Sequence, residues 1–301
     1  MNHGPRITKI RKDLRSILAE FEGSAGSMLG DWQIYRSSML PASPEPPLQL
    51  IRIHRRQPAP SRPIDDQIAN RFDYMLSVHA MLHSLDQLPS LNVPEELKSL
   101  ILEKFADRCE DGFANRYERY SFRDSEGWNQ LGSSQLQRLP LGLYAFNISG
   151  IPRRNLRLCP ARHRFELATF LAFQMRGFSP VFEVHLPRLQ NRHISEDEVD
   201  ASHHLLAQVA VMNPAVKGLY SSAWYIDPAV AAINPKLAFL REFFLANGGF
   251  VHRLGVTDST VEDALRKSAT RRKLYEEGRY HPTAWARYWP RLAMLKWAGF
   301  R

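Results

Sequence analysis

The chain has 301 residues, 44% of them hydrophobic, and a formal net charge of +9 at pH 7. This length can bury a full core in one large domain or two, and the longest apolar runs are shorter than the about 18–20 residues that cross a bilayer, so no membrane partner is expected. The two cysteines fit a reducing compartment and exclude a disulfide framework, so a cytoplasmic protein is expected.

The positive charge is concentrated at the two ends of the chain. Residues 1–64 contain 10 Lys and Arg against 5 Asp and Glu, and residues 251–301 contain 11 against 5, whereas the middle is slightly acidic. Clustered positive charge accelerates the approach of anionic partners. The distribution therefore favours an anionic partner, such as a phosphate-bearing small molecule or a nucleic acid, or else a charged surface that keeps the protein in solution.

Residues 1–64 are predicted to form a basic, proline-rich arm or linker. Apolar residues between Ile7 and Leu18 recur at helical spacing among basic residues, but the prolines from Pro41 onward exclude long regular elements. Residues 65–130 are predicted to be helical, because apolar residues recur there every three or four positions. A polar stretch that contains glycine and serine ends this region.

Residues 131–301 are predicted to form an α/β domain in which strands alternate with helices. Short apolar runs predict strands at 143–148, 181–186, 219–226, 250–256 and 284–289. Helical spacing predicts helices at 164–176, 195–213, 236–246 and 259–278. Ser195 and Ser259 each precede a glutamate by three positions, which is the spacing of a capping box. The predicted fold class is therefore α/β, with a mixed sheet and flanking helices in the C-terminal part, preceded by a mostly helical N-terminal region.

The strand at 181–186 carries the first candidate active-site residues. Alternation along a strand puts Glu183 and His185 on one face and the apolar residues on the other. A carboxylate and an imidazole two residues apart can serve as a general base and its orienting partner, or as two metal ligands. The other interpretation is a sheet face in contact with water, or a histidine with structural hydrogen bonds alone.

Asp227 is the second candidate, because functional groups of α/β sheets gather at the ends of strands and Asp227 follows a predicted strand. Asp-Pro is also a common way for a chain to leave a strand, since the residue before proline prefers an extended backbone. Glu183, His185 and Asp227 together define a third hypothesis, a metal-dependent enzyme. No further ligand at a fixed spacing supports it, and no metal is predicted.

The segment 259–297 combines basic and aromatic residues. Arg266, Arg271 and Arg272 belong to a predicted helix with five cations in eight positions, and a bound anion would relieve such a density of like charge. The tyrosines and tryptophans that follow could stack on a flat ligand. The alternative is that the aromatic residues fill the core while the arginines face water.

The strand–helix order of residues 181–289 and the sequence LYEEGRY at 274–280 faintly resemble the C-terminal half of GNAT-type N-acyltransferases, which carry a Leu-Tyr-Glu-x-Gly-Phe run after a late helix. The resemblance implies Tyr275 as a candidate to protonate the leaving thiolate and Glu183 as a candidate base for the amine. The pyrophosphate loop of that family is rich in glycine, whereas residues 188–193 here contain none.

These observations predict a divergent acyltransferase-like enzyme that moves an acyl group to an amine, with Glu183 or His185 as the base and Tyr275 as the acid. The predicted donor- or anion-binding residues are Arg266, Arg271, Arg272 and Asp227. The donor would be acyl-CoA or another small anionic acyl donor. The alternative is a non-enzymatic binding module for nucleic acid or another anionic partner. Nothing in the sequence indicates an oligomeric state.

Overall fold

The computed structural model describes residues 3–28, 30–33, 36, 66–110, 125–186, 194–266 and 268–300. The chain divides into two compact units, Met1–Asn147 and Ile148–Arg301. The predicted domain limits at residues 64 and 130 stay predictions, because the proline-rich segment 37–65 and the segment 111–124 lie outside the described residues.

The first unit is mainly helical in its described part. Its helices are α1 (Gly4–Ala25), α2 (Asp66–Gln87), α3 (Glu95–Glu110) and α4 (Ser125–Ser134). Helix α1 packs on α2 and α3. Phe21, Trp32 and Phe72 form a buried aromatic cluster with edge-to-face and tilted contacts between their rings. The helical spacing of apolar residues near the N-terminus therefore reflects a face of α1 that is buried in this unit.

The described strands form one mixed sheet in the order β1-β2-β3-β4-β6-β5. They are β1 (Leu139–Leu141), β2 (Tyr144–Ser149), β3 (Val181–His185), β4 (Gly218–Ala223), β5 (Phe250–Gly255) and β6 (Ala284–Pro290). Strands β3 and β4 are parallel, whereas the pairs β1–β2, β4–β6 and β5–β6 are antiparallel. A parallel pair needs a long crossover connection, and the helix Glu196–Met212 supplies it here.

Helices alternate with the strands in the second unit. They are α5 (Arg154–Leu158), α6 (Ala161–Thr169), α7 (Glu196–Met212), α8 (Pro228–Ile233), α9 (Phe239–Ala246), α10 (Asp258–Leu265), α11 (Ala269–Glu276) and α12 (Arg291–Trp297). Helix α6 continues into a π-helical segment, Phe170–Gln174. In the described part of the chain, no helix has both the length and the apolar character that crossing a membrane requires.

The predicted fold class is confirmed, and the five predicted strands correspond to β2–β6. The capping signature before α7 is also confirmed, since the Glu198 N–H donates to the Ser195 hydroxyl oxygen at 3.3 Å. The helix predicted at 259–278 is two helices instead. The capping box predicted at Ser259 is wrong, because Ser259 lies inside α10 and Thr257 caps this helix. Ser268 caps α11 after a break in the helical path.

The two faces of the sheet carry different side chains in the second unit, because neighbours along a strand alternate between faces. Tyr220 of β4 and Tyr288 of β6 are register partners, and they share a buried core with residues of α5, α6 and the π-helical segment. Trp289 lies on the opposite face. Its ring packs edge-on against Phe243 and Phe244 of α9, with centroids 5.2 and 5.3 Å away.

Candidate active site

The parallel strands β3 and β4 pair near their amino ends, and the register ends before their carboxyl ends. The Lys217 N–H donates to the Pro180 carbonyl at 2.9 Å just before the two strands begin. Their last register pair is Glu183 with Tyr220. Strand β3 then runs on for two residues and β4 for three, but the described register contains no further pair. Because ligands of α/β sheets bind at the carboxyl ends of strands, we take the carboxyl ends of β3 and β4 beyond this last pair, which we call the β3–β4 opening, as the candidate active site.

Glu183 faces a group of buried polar side chains. Asn155 of α5 is buried, and its Nδ2 donates to the Tyr220 hydroxyl at 3.2 Å and to the Tyr288 hydroxyl at 2.9 Å. The two tyrosine rings are 5.5 Å apart. The buried ring of His252, on β5, stacks on Tyr288 at 5.5 Å with an interplanar angle of 3°. We call Glu183, Asn155, Tyr220, His252 and Tyr288 the polar cluster.

Burial shifts the pKa values of three members of the polar cluster, Tyr220, Tyr288 and His252. It raises the pKa of Tyr220, and the nearby charge of Glu183 adds to this, whereas hydrogen bonds from Asn155 and Ser222 act in the opposite direction. Burial also raises the pKa of Tyr288. The same cause lowers the pKa of His252 to about 4. At neutral pH, the two phenols are therefore protonated and the imidazole of His252 is neutral.

This arrangement is suited to proton-transfer chemistry. A carboxylate at the opening can accept a proton from a bound substrate, directly or through one water. A phenol with a raised pKa remains a hydrogen-bond donor, so it can stabilise an oxyanion that develops next to it. Ser222, on the same face as Tyr220 and exposed to solvent, connects the buried hydroxyl with the surface.

His185 is two residues beyond Glu183 on the same face of β3, as strand alternation predicts, and it is partly buried at the end of the strand. Both predicted bases therefore belong to the same side of the β3–β4 opening. The glycine-free stretch 188–193 follows this strand and lies outside the described residues.

Asp227 and Arg271 come together around Tyr280, near the end of β4. Asp227 is buried and begins α8, where its Oδ1 accepts the Ala229 N–H at 3.0 Å. Burial raises the pKa of this carboxyl. Burial also raises the pKa of Tyr280 to about 12, an effect that the charge of Asp227 strengthens and that of Arg271 weakens. The strand predicted to run to residue 226 ends at Ala223, and a 3-10 helix, Trp224–Ile226, separates it from Asp227, so Asp227 caps a helix and does not directly follow the strand.

The arginines predicted to bind an anion hydrogen-bond to the carboxyl end of α10. Arg271 Nε donates to the Ala264 carbonyl at 2.6 Å, and Arg272 Nη1 donates to the Arg266 carbonyl at 2.9 Å. Arg271 is only 8% exposed, and its guanidinium carbon lies 4.4 Å from the ring centroid of Trp224. Because the last carbonyls of a helix carry partial negative charge, they are a local partner for these cations.

Arg266 and Tyr275 complete the predicted residues of this region. Arg266 forms ion pairs within α10, with Glu262 at 3.5 Å and with Asp263. Tyr275, on α11, is 39% exposed, and its ring lies edge-on to His281 with centroids 6.2 Å apart. Local contacts around α10 and α11 thus provide partners for the arginines of this cation-rich segment.

The predicted site residues therefore form two groups. Glu183 and His185 lie at the β3–β4 opening, and the second group surrounds α10 and α11. The second group consists of Arg266, Arg271, Arg272, Asp227 and Tyr275. Within the described ranges, no set of three or more His, Cys, Asp or Glu side chains could hold a metal ion, so the metal-dependent hypothesis gains no support from them.

Sequence analysis missed Asn155, Tyr220, Tyr288 and His252. The alternation of β4 and β6 would have assigned each tyrosine to a strand face. The sequence does not give the register that makes the two tyrosines neighbours. Asn155 belongs to a five-residue helix, which is too short for a periodic pattern.

No family model matches the chain, and no curated protein matches it significantly. Among solved structures, an acyltransferase in complex with decanoyl-CoA has a TM-score of 0.45 and 13% identity, over 73% of this chain and 65% of that chain. An acyltransferase in complex with decanoyl-CoA and teicoplanin has a TM-score of 0.44 and 12% identity, over 73% and 66%. The chain thus spans less than two thirds of the length of these structures. The likeness is distant and concerns the fold alone.

Proposed function

We propose that the chain transfers an acyl group from a pantetheine thioester, such as acyl-CoA, to an amine. The observation that carries the proposal is the opening at the carboxyl ends of β3 and β4, beside the Glu183 carboxylate and the Tyr220 hydroxyl. An extended arm that contains amide groups, as pantetheine does, can hydrogen-bond to backbone groups at strand ends, in the manner of an added strand. The thioester at the tip of such an arm would lie close to Glu183.

The reaction requires one proton to be removed before bond formation. An ammonium group must lose a proton to become a nucleophile, and Glu183 is the proposed acceptor, directly or through a water molecule. The free amine then attacks the thioester carbonyl, the new C–N bond forms, and the carbonyl oxygen becomes an oxyanion. Collapse of this intermediate breaks the C–S bond. The nitrogen loses a second proton, the thiolate gains one, and the amide and the free thiol leave.

The hydroxyl of Tyr220 is the proposed donor to the oxyanion or to the leaving thiolate, because it lies beside Glu183 and keeps its proton at neutral pH. Tyr275, which the resemblance to GNAT-type enzymes implies for the same role, stays a second candidate. Loss of a general acid lowers kcat by about 10²–10⁴-fold. Comparing Tyr220→Phe with Tyr275→Phe therefore decides between the two, since only one substitution should have this effect.

The experiment that tests the proposal measures amine-dependent release of free thiol from a series of acyl-CoA and acyl-pantetheine thioesters, with the N-acyl product identified by mass spectrometry. Glu183→Gln is expected to lower the rate of transfer by about 10²-fold or more. Glu166→Gln, at an exposed position of α6, is the matched control and should retain the full rate. Absence of amine-dependent thiol release from every thioester would refute the proposed function. Full activity of Glu183→Gln would refute the assignment of the base.

A further inference from the structure

An arginine-rich surface covers the helices that lie over the polar cluster. Residues 153–176, which include α5, α6 and the π-helical segment, contain six arginines, no lysine and a single acidic residue, Glu166. The arginines are all exposed, and they are Arg153, Arg154, Arg157, Arg162, Arg164 and Arg176. Glu166 lies 3.3 Å from His163 on the same helix. We call this the arginine surface. Arg164 donates to the Arg157 carbonyl at 3.3 Å, and the net positive charge of the surface favours an anionic partner.

Large apolar side chains project from the arginine surface. Phe165 is 83% exposed, Phe173 is 75% exposed and Leu158 is 48% exposed. Phe165, Thr169 and Phe173 follow each other at intervals of four residues, a spacing that keeps side chains on one side of a helical path. Exposed aromatic residues surrounded by charged ones mark interaction sites more often than ordinary solvent-facing surface.

The composition of the arginine surface favours an acidic protein as the partner. Interfaces between proteins are enriched in aromatic residues and arginine and depleted in lysine, and this is the composition found here. The guanidinium group matches a carboxylate with two parallel hydrogen bonds. The phenylalanines would then be the apolar anchors at the centre of the interface, and the arginines would meet acidic side chains around them.

The position of the arginine surface connects it with the candidate active site. Arg153 precedes α5 as its N-cap, and Arg154 and Arg157 of α5 are exposed, while Asn155 of the same helix is buried and donates to the Tyr220 hydroxyl. Burial dominates the pKa of Tyr220 and raises it, but the positive charge of Arg154 acts on the same group in the opposite direction. A partner on this surface would therefore be close to the polar cluster.

We infer that the arginine surface docks a small acidic carrier protein, whose thioester-bearing pantetheine arm enters the opening between β3 and β4. The inference rests on the proposed function and specifies its donor. The glycine-free sequence after β3 agrees with it, because backbone amides approach a nucleotide pyrophosphate most closely where the loop has small residues. A carrier protein needs no such loop, since its own acidic surface makes the contact.

The test compares three donors with the same hexanoyl group, namely an acidic acyl carrier protein charged with hexanoyl-phosphopantetheine, hexanoyl-CoA and hexanoyl-pantetheine. For the unsubstituted chain, we expect kcat/KM to be about tenfold higher with the carrier protein than with hexanoyl-CoA, and to fall as salt is added. Arg157→Glu combined with Arg162→Glu should lower the value for the carrier protein about 30-fold, through KM. The value for hexanoyl-pantetheine should change by less than about twofold.

Two further variants isolate the cause of such a loss. Lys236→Glu combined with Lys296→Glu makes the same change in charge at exposed positions elsewhere in the unit, and it should leave kcat/KM for the carrier protein within about twofold. Phe165→Ser combined with Phe173→Ser removes the apolar anchors without opening a cavity, because both rings are exposed. It should lower kcat/KM for the carrier protein alone.

Equal kcat/KM values with the carrier protein for the arginine variant and the lysine control would overturn the inference and leave acyl transfer intact. If no donor gives an amine-dependent product, the proposed function fails, and calorimetric titration of the carrier protein onto the chain decides the inference separately. Binding that is weakened by the arginine reversals alone supports the docking surface, and absence of binding overturns it. Vesicles containing phosphatidylglycerol and a single-stranded oligonucleotide are titrated in parallel. Arginine-dependent binding to either of these, without carrier binding, would also overturn it.

Discussion

Replacement of Asn155 by leucine is expected to lower the free energy of unfolding of the second unit by about 2–4 kcal/mol. The Asn155 side chain donates to two buried hydroxyl groups, at 3.2 Å for Tyr220 and 2.9 Å for Tyr288. Leucine has the same number of side-chain heavy atoms as asparagine and the same branching at Cγ, so the substitution leaves no empty space. The Tyr288 hydroxyl is buried away from bulk water, whereas the Tyr220 hydroxyl keeps its hydrogen bond with Ser222, which sets the lower end of this range. Each lost hydrogen bond to a buried group costs about 1–2 kcal/mol, which gives the sum.

Urea unfolding, followed by circular dichroism and tryptophan fluorescence, measures this loss. Tyr288→Phe removes one of the two hydroxyl groups, so it should cost about 1 kcal/mol less in the Asn155→Leu background than in the unsubstituted chain. Gln174→Leu changes an exposed position of the π-helical segment and is the control, with an expected effect within about 0.5 kcal/mol. An effect of Asn155→Leu as small as that of the control, or strict additivity of the two substitutions, would refute the role of the Asn155 amide.

Three further predictions concern the second unit. Gly218→Ala should lower the unfolding free energy by about 3 kcal/mol or more, because φ is 152° and an added Cβ would collide with the Trp289 carbonyl oxygen. Gly255→Ala is the comparison, since φ is 127° there but the space is open, and it should lower the unfolding free energy by about 1 kcal/mol. Thermal unfolding measures both effects. Burial lowers the pKa of His252 to about 4, so its neutral form stabilises the fold fully above pH 6.5 and this contribution is lost as the pH falls toward 4. The unsubstituted chain should therefore lose about 2 kcal/mol more unfolding free energy between pH 7.5 and pH 5 than the His252→Leu variant does. Urea unfolding at the two pH values measures this, and the same loss in both chains would contradict the prediction. Arg271→Met removes the guanidinium bond to the end of α10 and should cost about 1–3 kcal/mol in urea unfolding, and a change below about 0.5 kcal/mol would show that this bond contributes little.

The strands of the second unit were predictable because their patterns are local. Strand β3 alternates apolar and polar residues, and β5 begins directly after Gly248 and Gly249, which end the preceding helix. Such boundaries depend only on nearby residues, through glycine, proline and the alternation of side chains. The division between α10 and α11 was missed because helical spacing continues through it. Ser268 caps α11 and so marks the break between the two helices. A serine inside a helical pattern does not by itself predict a helix cap.

The polar cluster was not predictable in the same way, because its members are distant in sequence. Asn155 hydrogen-bonds to residues 65 and 133 positions away, and only the order of the strands brings them together. Sequence analysis did identify Glu183 as the carboxylate of this region, since alternation sets its face. It could not determine that the neighbouring groups on that face are buried phenols.

The arginines of the last helices illustrate a different limit. Counting charges suggests that Arg271 and Arg272 need an external anion. The structure supplies the carbonyls at the end of α10 as local acceptors, and these become visible only when the helix break is known. Charge composition therefore indicated where positive side chains cluster, but the partner depended on tertiary structure.

The measurement that tests the account most directly is hydrogen–deuterium exchange of the chain with and without a thioether analogue of acyl-pantetheine, which cannot transfer its acyl group. Binding in the opening predicts slower exchange in peptides that cover residues 182–186 and 219–223, with unchanged exchange in residues 258–276. No protection at the opening, or protection confined to 258–276 around Arg271, would contradict the account.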